Sequence, residues 1–165
     1  MSGSLSNVEV GAIYDRYGYL LLRRCRLLMR GDAAAAEDAL QEAFVKIMLH
    51  GGAYAGADDK LRWLYRVVDN SCFDALKRRR NRPESAVEAP ERGGGDAHPA
   101  LVERMQAARA LGRLPERERQ VAVLAFVDGL SQGQIASEVG WSRQTINKRV
   151  QLIRERLGRW LGGAG

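Results

Sequence analysis

Cysteine and histidine are scarce, two residues of each, and neither pair has the spacing of a metal site or a thiol redox motif. Cys25 and Cys72 sit inside helical patterns without a C-x-x-C, which reads as free buried thiols in a reducing cytosol. A redox switch or a disulfide is the alternative. His50 and His98 fall at a helix end and in a Pro/Gly-rich stretch, so no Ser/His/Asp set can be assembled. No stretch approaches the roughly 20 apolar residues needed to cross a bilayer, and MSGSLSNVEV at the N-terminus has no apolar core of a leader. The chain is therefore expected to be soluble, cytoplasmic and without membrane insertion. No run alternates with the period of two of a strand, so the class is all-α. Gly93-Gly94-Gly95 follows no strand and precedes no Gly-Lys-Ser/Thr, which excludes a phosphate loop. Neither an enzyme nor a cofactor is expected.

What the chain does have is unevenly placed positive charge. The net charge is +6, yet residues 1–76 are almost neutral. The run 77–82, KRRRNR, carries five cations in six positions, residues 83–100 are net acidic, and residues 101–165 are basic again. Two basic clusters separated by an acidic stretch fit two contacts on one polyanion.

Hydrophobic periodicity supplies the helices. Val8 to Met29 is the first, with Ile13, Tyr17, Leu20, Leu21, Leu27 and Leu28 recurring near helical period. Asp32 is placed to cap a second, opening Ala33-Ala34-Ala35-Ala36, whose apolar stripe is Ala36, Leu40, Ala43, Phe44 and Ile47. The segment 51–57, GGAYAGA, breaks the pattern and reads as a loop. A long helix follows from about Asp59 to Arg80, with Leu61, Leu64, Val67, Val68, Ser71, Ala75 and Leu76 inward. Residues 83–100 hold three of the four prolines and a glycine triplet, the composition of a flexible linker. Fully extended it would span about 60 Å, whereas relaxed it averages nearer 25 Å, so a large partner would have to hold it open. Helical patterning resumes at Pro99, and Pro115 opens a helix that continues to Gly129. Two small helical domains result, 8–82 and 101–161, joined by the linker 83–100.

The most specific local signal is LSQGQIASEVGWSRQTINKRVQLIRERL, from Leu130 to Leu157. Ser131 with Gln134 is a capping box, Gly140 supplies a turn, and Ser142 starts another helix. Gln132, Ala136, Gly140 and Ile146 have helix-turn-helix spacing, the small residue allowing two helices to approach. In the second helix Ile146, Val150, Ile153 and Leu157 face a core. Arg143, Gln144, Asn147, Lys148 and Gln151 lie opposite. Arg143, Gln144 and Asn147 are nearest the bases if the helix N-terminus enters a major groove, and Lys148, Arg149 and Arg154 suit phosphates. On the long helix before the linker, Lys77, Arg78 and Arg80 exceed what a helix dipole needs. Upstream of them, Arg62, Trp63, Arg66, Asn70 and Asp74 mix aromatic, cationic and amide groups, a mixture suited to single-stranded or opening DNA. Pattern alone leaves Trp63 open between core residue and stacking platform.

Taken in order, these segments resemble a known family. Residues 35–48, AAEDALQEAFVKIM, resemble the D-x-x-Q-E-x-F helix of bacterial sigma factors. Trp63-Leu64-Tyr65-Arg66 through Asn70, Asp74 and the arginine run resembles the promoter-melting helix. LPERER at 114–119 and Gly129-Leu130-Ser131 resemble the C-terminal domain. Order and two-domain size are similar to the extracytoplasmic-function (ECF) group, over roughly residues 10–82 and 103–161. The resemblance implies that Asp38, Gln41 and Glu42 dock on core RNA polymerase, with Phe44 in the core. It places Asn70, Asp74, Lys77 and Arg78 at the −10 promoter element, and the helix from Arg143 at the −35 element. The 51–59 segment matches the one that captures a flipped −10 base, for which Tyr54, Asp58 and Asp59 are the polar residues present. Core polymerase and promoter DNA, duplex at −35 and melted at −10, are then the partners, and an anti-sigma factor is a candidate third. The alternative is a helix-turn-helix regulator that acts without being a polymerase subunit, binding a duplex palindrome unaided.

Overall fold

A computed structural model of the chain describes residues 3–81 and 99–162. Among these there is no strand; the elements are α1 (Asn7–Leu28), α2 (Ala33–Leu49), α3 (Gly51–Gly56), α4 (Lys60–Arg80), α5 (Pro99–Gly112), α6 (Glu116–Ala122), a π-helical turn (Val123–Val127), α7 (Gln132–Val139) and α8 (Arg143–Gly162). The chain divides into two compact units, Met1–Arg92 and Gly93–Gly165. Helix α5 starts at Pro99, so the last two residues of the segment read as linker are helical; residues 83–98 of it lie outside the described residues.

In the first unit α1, α2 and α4 pack on one another. Their shared core includes Leu21, Leu28, Ala36, Ile47, Leu64 and Val68, with the two free cysteines, Cys25 and Cys72, fully buried beside them. The hydrogen bond with Cys25, and then burial, push the Cys72 thiol far above its ordinary range, which keeps it protonated. Local caps set the helix starts. Ser6 and Glu9 form a capping box on α1, Asp32 accepts from the Ala35 amide, and Asp59 accepts from the Arg62 amide.

Three expectations need correction. Leu20 is exposed rather than inward, because the buried line of α1 runs through Ile13, Gly18, Leu21, Cys25 and Leu28. The segment read as a loop at 51–57 is helical from Gly51 to Gly56. Its glycines suggest irregularity, yet a tertiary contact holds it: the Gly52 amide donates to Gly3 O at 3.2 Å, and the Leu5 amide, donating to Met48 O of α2 at 2.8 Å, anchors the residues that supply that acceptor. A Cβ on Gly51 would lie 2.6 Å from Gly3 O, so only glycine admits this N-terminal strand of chain. The helix expected to run evenly to Gly129 ends instead in a wide turn, the Asp128 amide reaching back to Val123 O at 3.0 Å. That turn keeps Val123 and Leu124 buried and leaves Phe126 and Val127 outside.

In the second unit α8 packs against α5, α6 and α7 around Leu111, Leu114, Val121, Ile135, Ile146 and Ile153. Arg119 is wholly buried. It donates from Nε to Leu111 O at 3.1 Å and from Nη2 to Leu114 O at 2.9 Å, satisfying carbonyls at and just beyond the end of α5.

Candidate nucleic-acid interface

Helix α4 is divided lengthwise. At about 100° per residue, Arg62, Trp63, Arg66, Asn70, Asp74, Lys77, Arg78 and Arg80 fall in one half. The buried Leu64, Val68, Asp69, Ser71, Cys72 and Leu76 occupy the other. Thus every α4 residue singled out for −10 DNA lies on one side. Trp63 is half-buried, neither core nor open platform, and its ring meets Tyr54 at 5.8 Å with a 58° tilt. Burial first, then the neighbouring Tyr17, raises the Tyr54 phenol above its ordinary value, so it stays neutral and able to donate.

Helix α4 is tied to α2 and its cap residue by charge. Arg78 Nη2 lies 2.8 Å from both carboxylate oxygens of Glu42, and Arg79 Nη2 lies 2.7 Å from Asp32. Lys46 Nζ donates to Ser71 Oγ at 3.1 Å and to Asp74 at 3.4 Å. Deeper in, Arg24 and Asp69 form a two-bonded pair at 2.6 and 2.9 Å, with the Arg24 guanidinium 4.2 Å from the Tyr65 ring. The sequence reading missed this pair because its members are 45 residues apart and Asp69 falls on an apolar face. Only the unusual arc position of an acidic residue could have signalled it.

On α2, Asp38 and Gln41 are exposed, while Glu42 is partly covered through Arg78. Phe44 is half-buried, its ring 5.4 Å from Tyr14. A groove of about 590 Å³ runs between α1 and α2 here, lined by Val10, Tyr14, Leu40 and Phe44 with Asp15, Glu37 and Gln41.

In the second unit the helix-turn-helix is built by caps. Ser131 and Gln134 form a capping box, Gly140 ends α7 in the left-handed region at φ 76°, and Ser142 Oγ accepts from the Thr145 amide at 3.1 Å. Arg143, Gln144, Asn147, Lys148 and Gln151 form one exposed face of α8. Asn147 Oδ1 accepts from Gln132 Nε2 at 3.0 Å and Gln151 Nε2 at 3.3 Å, a polar cluster across both helices. The Arg143 guanidinium lies over Gly133, where a Cβ would stand 3.1 Å from Nη2. Arg149 is not part of that face: it is on the α6 side of the helix, 2.8 Å from Glu118. Arg154 lies over the Phe126 ring at 5.5 Å. Among the described residues no group of acidic, cysteine or histidine side chains could hold a metal ion, and no helix is long and apolar enough to cross a membrane.

A helical bundle with one polar half-helix, followed by a helix-turn-helix unit, places the chain in the class of helix-turn-helix proteins. Residues 13–82 match the family model described as Sigma-70 region 2, and residues 104–157 match Sigma-70, region 4. The ECF RNA polymerase sigma factor SigM of Mycobacterium tuberculosis is 32% identical over 156 residues, covering 91% of this chain and 76% of that protein. SigL of the same species is 31% identical over 144 residues, with 84% and 81% covered. Among solved structures, CnrH in complex with the cytosolic domain of CnrY aligns with a TM-score of 0.63 at 22% identity, over 97% of this chain and 92% of that one. RpoE from Bartonella quintana, in complex with the anti-sigma factor NepR, gives 0.62 at 22% identity, over 90% and 96%. These structures share the fold. The chain belongs to the ECF group of sigma-70 family RNA polymerase sigma factors. It is thus an alternative sigma factor for transcription initiation.

Proposed function

We propose that the chain binds core RNA polymerase through Asp38, Gln41 and Glu42 and reads a promoter at two elements, with residues 8–82 and 99–161 as the working domains and 83–98 as the linker. The half-face of α4, together with Tyr54, takes the melted −10 strand: Trp63 and Tyr54 meet an unstacked base, and Arg62, Arg66, Lys77, Arg78 and Arg80 neutralise phosphates. Asn70 and Asp74 supply polar contacts on the same stripe. The −35 duplex is read by Arg143, Gln144 and Asn147, with Lys148 and Gln151 toward the backbone. Arg149 is left out of this set because Glu118 engages it. The protein carries no catalysis of its own; the polymerase makes the bonds. Its place of action follows its partner, in the cytoplasm on chromosome-bound polymerase, and an anti-sigma factor is a further partner.

The single observation that carries this reading is the gathering of all the α4 candidates on one half of that helix, in a chain that also bears the α8 face. The test adds purified protein to core polymerase and genomic DNA fragments. Promoter-dependent transcripts are expected, from fragments that core polymerase alone leaves silent. Tight binding to a duplex palindrome without polymerase, together with no core binding, would instead identify a free-standing regulator.

A further inference from the structure

Helices α6 and α8 are joined by a carboxylate that serves two arginines. Glu118 on α6 is only 8% exposed. Its Oε1 accepts from Arg149 Nη1 at 2.8 Å and its Oε2 from Arg156 Nη1 at 3.0 Å. Arg149 and Arg156 are seven residues apart, so they leave α8 from the same flank two turns from each other. At about 100° per residue that flank is about half a turn round from the face formed by Arg143, Gln144, Asn147, Lys148 and Gln151.

We infer that Glu118 is a specificity-determining positioning residue, which fixes the rotation of α8 toward duplex DNA and withholds Arg149 from the phosphates. The inference rests on α8 being the −35 reader. Ile146, Val150 and Ile153 hold the helix against the core, but apolar contact is non-directional. Two charge-assisted hydrogen bonds, anchored at one point on α6 and spaced two turns apart on α8, do have direction. A rotation of about 30° at the roughly 5–6 Å side-chain radius of a helix moves a side-chain tip by about 3 Å. That is the length of a hydrogen bond, enough to lift Gln144 off a base edge. The second effect is electrostatic. The Arg149 side chain is still 45% exposed, so without Glu118 it can swing to solvent and join the binding charge. A cation on phosphate adds affinity for every sequence and information about none.

The experiment uses holoenzyme reconstituted from core polymerase and the full chain. The probes are a promoter fragment that wild-type holoenzyme transcribes and the same fragment with its −35 region scrambled. Glu118→Gln should bind the scrambled fragment several-fold tighter, with the slope of log K against log salt steeper by about 0.9, the value of one added phosphate contact. Preference for the intact fragment should fall, and adding Arg149→Gln should return the salt slope to that of wild type. Arg149→Gln alone, with Glu118 in place, should leave the slope unchanged; a shallower slope would show Arg149 on phosphate in the native protein and overturn the inference. Unchanged slope and preference in a folded Glu118→Gln protein would overturn it too, whatever the loss of thermal stability. Should Gln144→Ala leave the preference of the wild-type background untouched, the assignment of α8 itself fails, which is a separate outcome.

Discussion

Arg78 on α4 and Glu42 on α2 form one ion pair, a single guanidinium nitrogen lying 2.8 Å from both carboxylate oxygens. One member is assigned to promoter DNA and the other to polymerase, so in the free protein each covers the other. Exposed pairs of this kind contribute about 0–1 kcal/mol, weak enough for a partner to exchange. Glu42→Gln should reduce affinity for core polymerase while leaving the helical circular dichroism intact. The free variant should bind a single-stranded −10 oligonucleotide slightly tighter than wild type, by no more than a few-fold. Weaker oligonucleotide binding would contradict the pairing as described.

The Arg24–Asp69 pair behaves differently because its side chains are 3% and 5% exposed. Asp69→Ala leaves a buried guanidinium without its carboxylate, and the expected loss is about 3–5 kcal/mol. Urea unfolding of the full chain measures it. Replacing both residues by apolar ones of similar volume should recover much of that loss, since the desolvation of two charges then disappears as well.

Gly51 is a packing requirement. Gly51→Ala places a methyl 2.6 Å from Gly3 O and 2.7 Å from Leu5 Cγ, which forces the N-terminal strand of chain away. A cost of about 1–3 kcal/mol is expected from overpacking. Because α3 carries Tyr54 against Trp63, promoter opening followed by 2-aminopurine fluorescence should slow, while binding to a −35 duplex should not change.

Two residues on one face of α8 should differ in kind. Lys148→Ala is expected to weaken DNA binding evenly across sequences and to flatten its salt dependence. Gln144→Ala should cost about 1–3 kcal/mol against the preferred −35 sequence alone. Competition with scrambled duplex separates them, and identical behaviour would mean that the helix enters the groove by another face.

Acid should act on the first unit through Asp32. Partial burial opposes its charge, but the Arg79 hydrogen bond and the Ala35 and Ala34 amides outweigh that, and its carboxyl sits below the ordinary value of 3.8. A carboxyl depressed in the folded state adds stability above its unfolded value, and that contribution is lost as pH falls through the folded value. Asp32→Asn keeps a good helix cap but cannot titrate. Its unfolding midpoint should therefore change less between pH 5 and 3, a range set by the ordinary carboxylate value near 3.9, than that of wild type. Equal acid sensitivity would place the titration elsewhere.

Helix faces and caps were legible in the sequence, because both are local. A period of 3.6 put Ile146, Val150 and Ile153 in the core, and Ser131 with Gln134, or Asp32 before four alanines, marked helix starts within one turn of chain. The same locality explains the misreading of 51–57. Glycine-rich composition argues for a loop, whereas the contact that backs the short helix is distant in sequence, the Gly52 amide donating to Gly3 O. Pairing of charges was likewise beyond reach. Arg149 has the residue type of a phosphate contact and lies next to Lys148 in sequence, and only the apposition of α6 and α8 gives it to Glu118. By itself, then, the sequence determined the buried line of the long helices, Leu20 apart, and the helix starts that a local cap marks, but not α3. Only the tertiary structure decided which charges spend themselves on one another and which stay available to DNA, because that depends on which faces meet after distant segments pack.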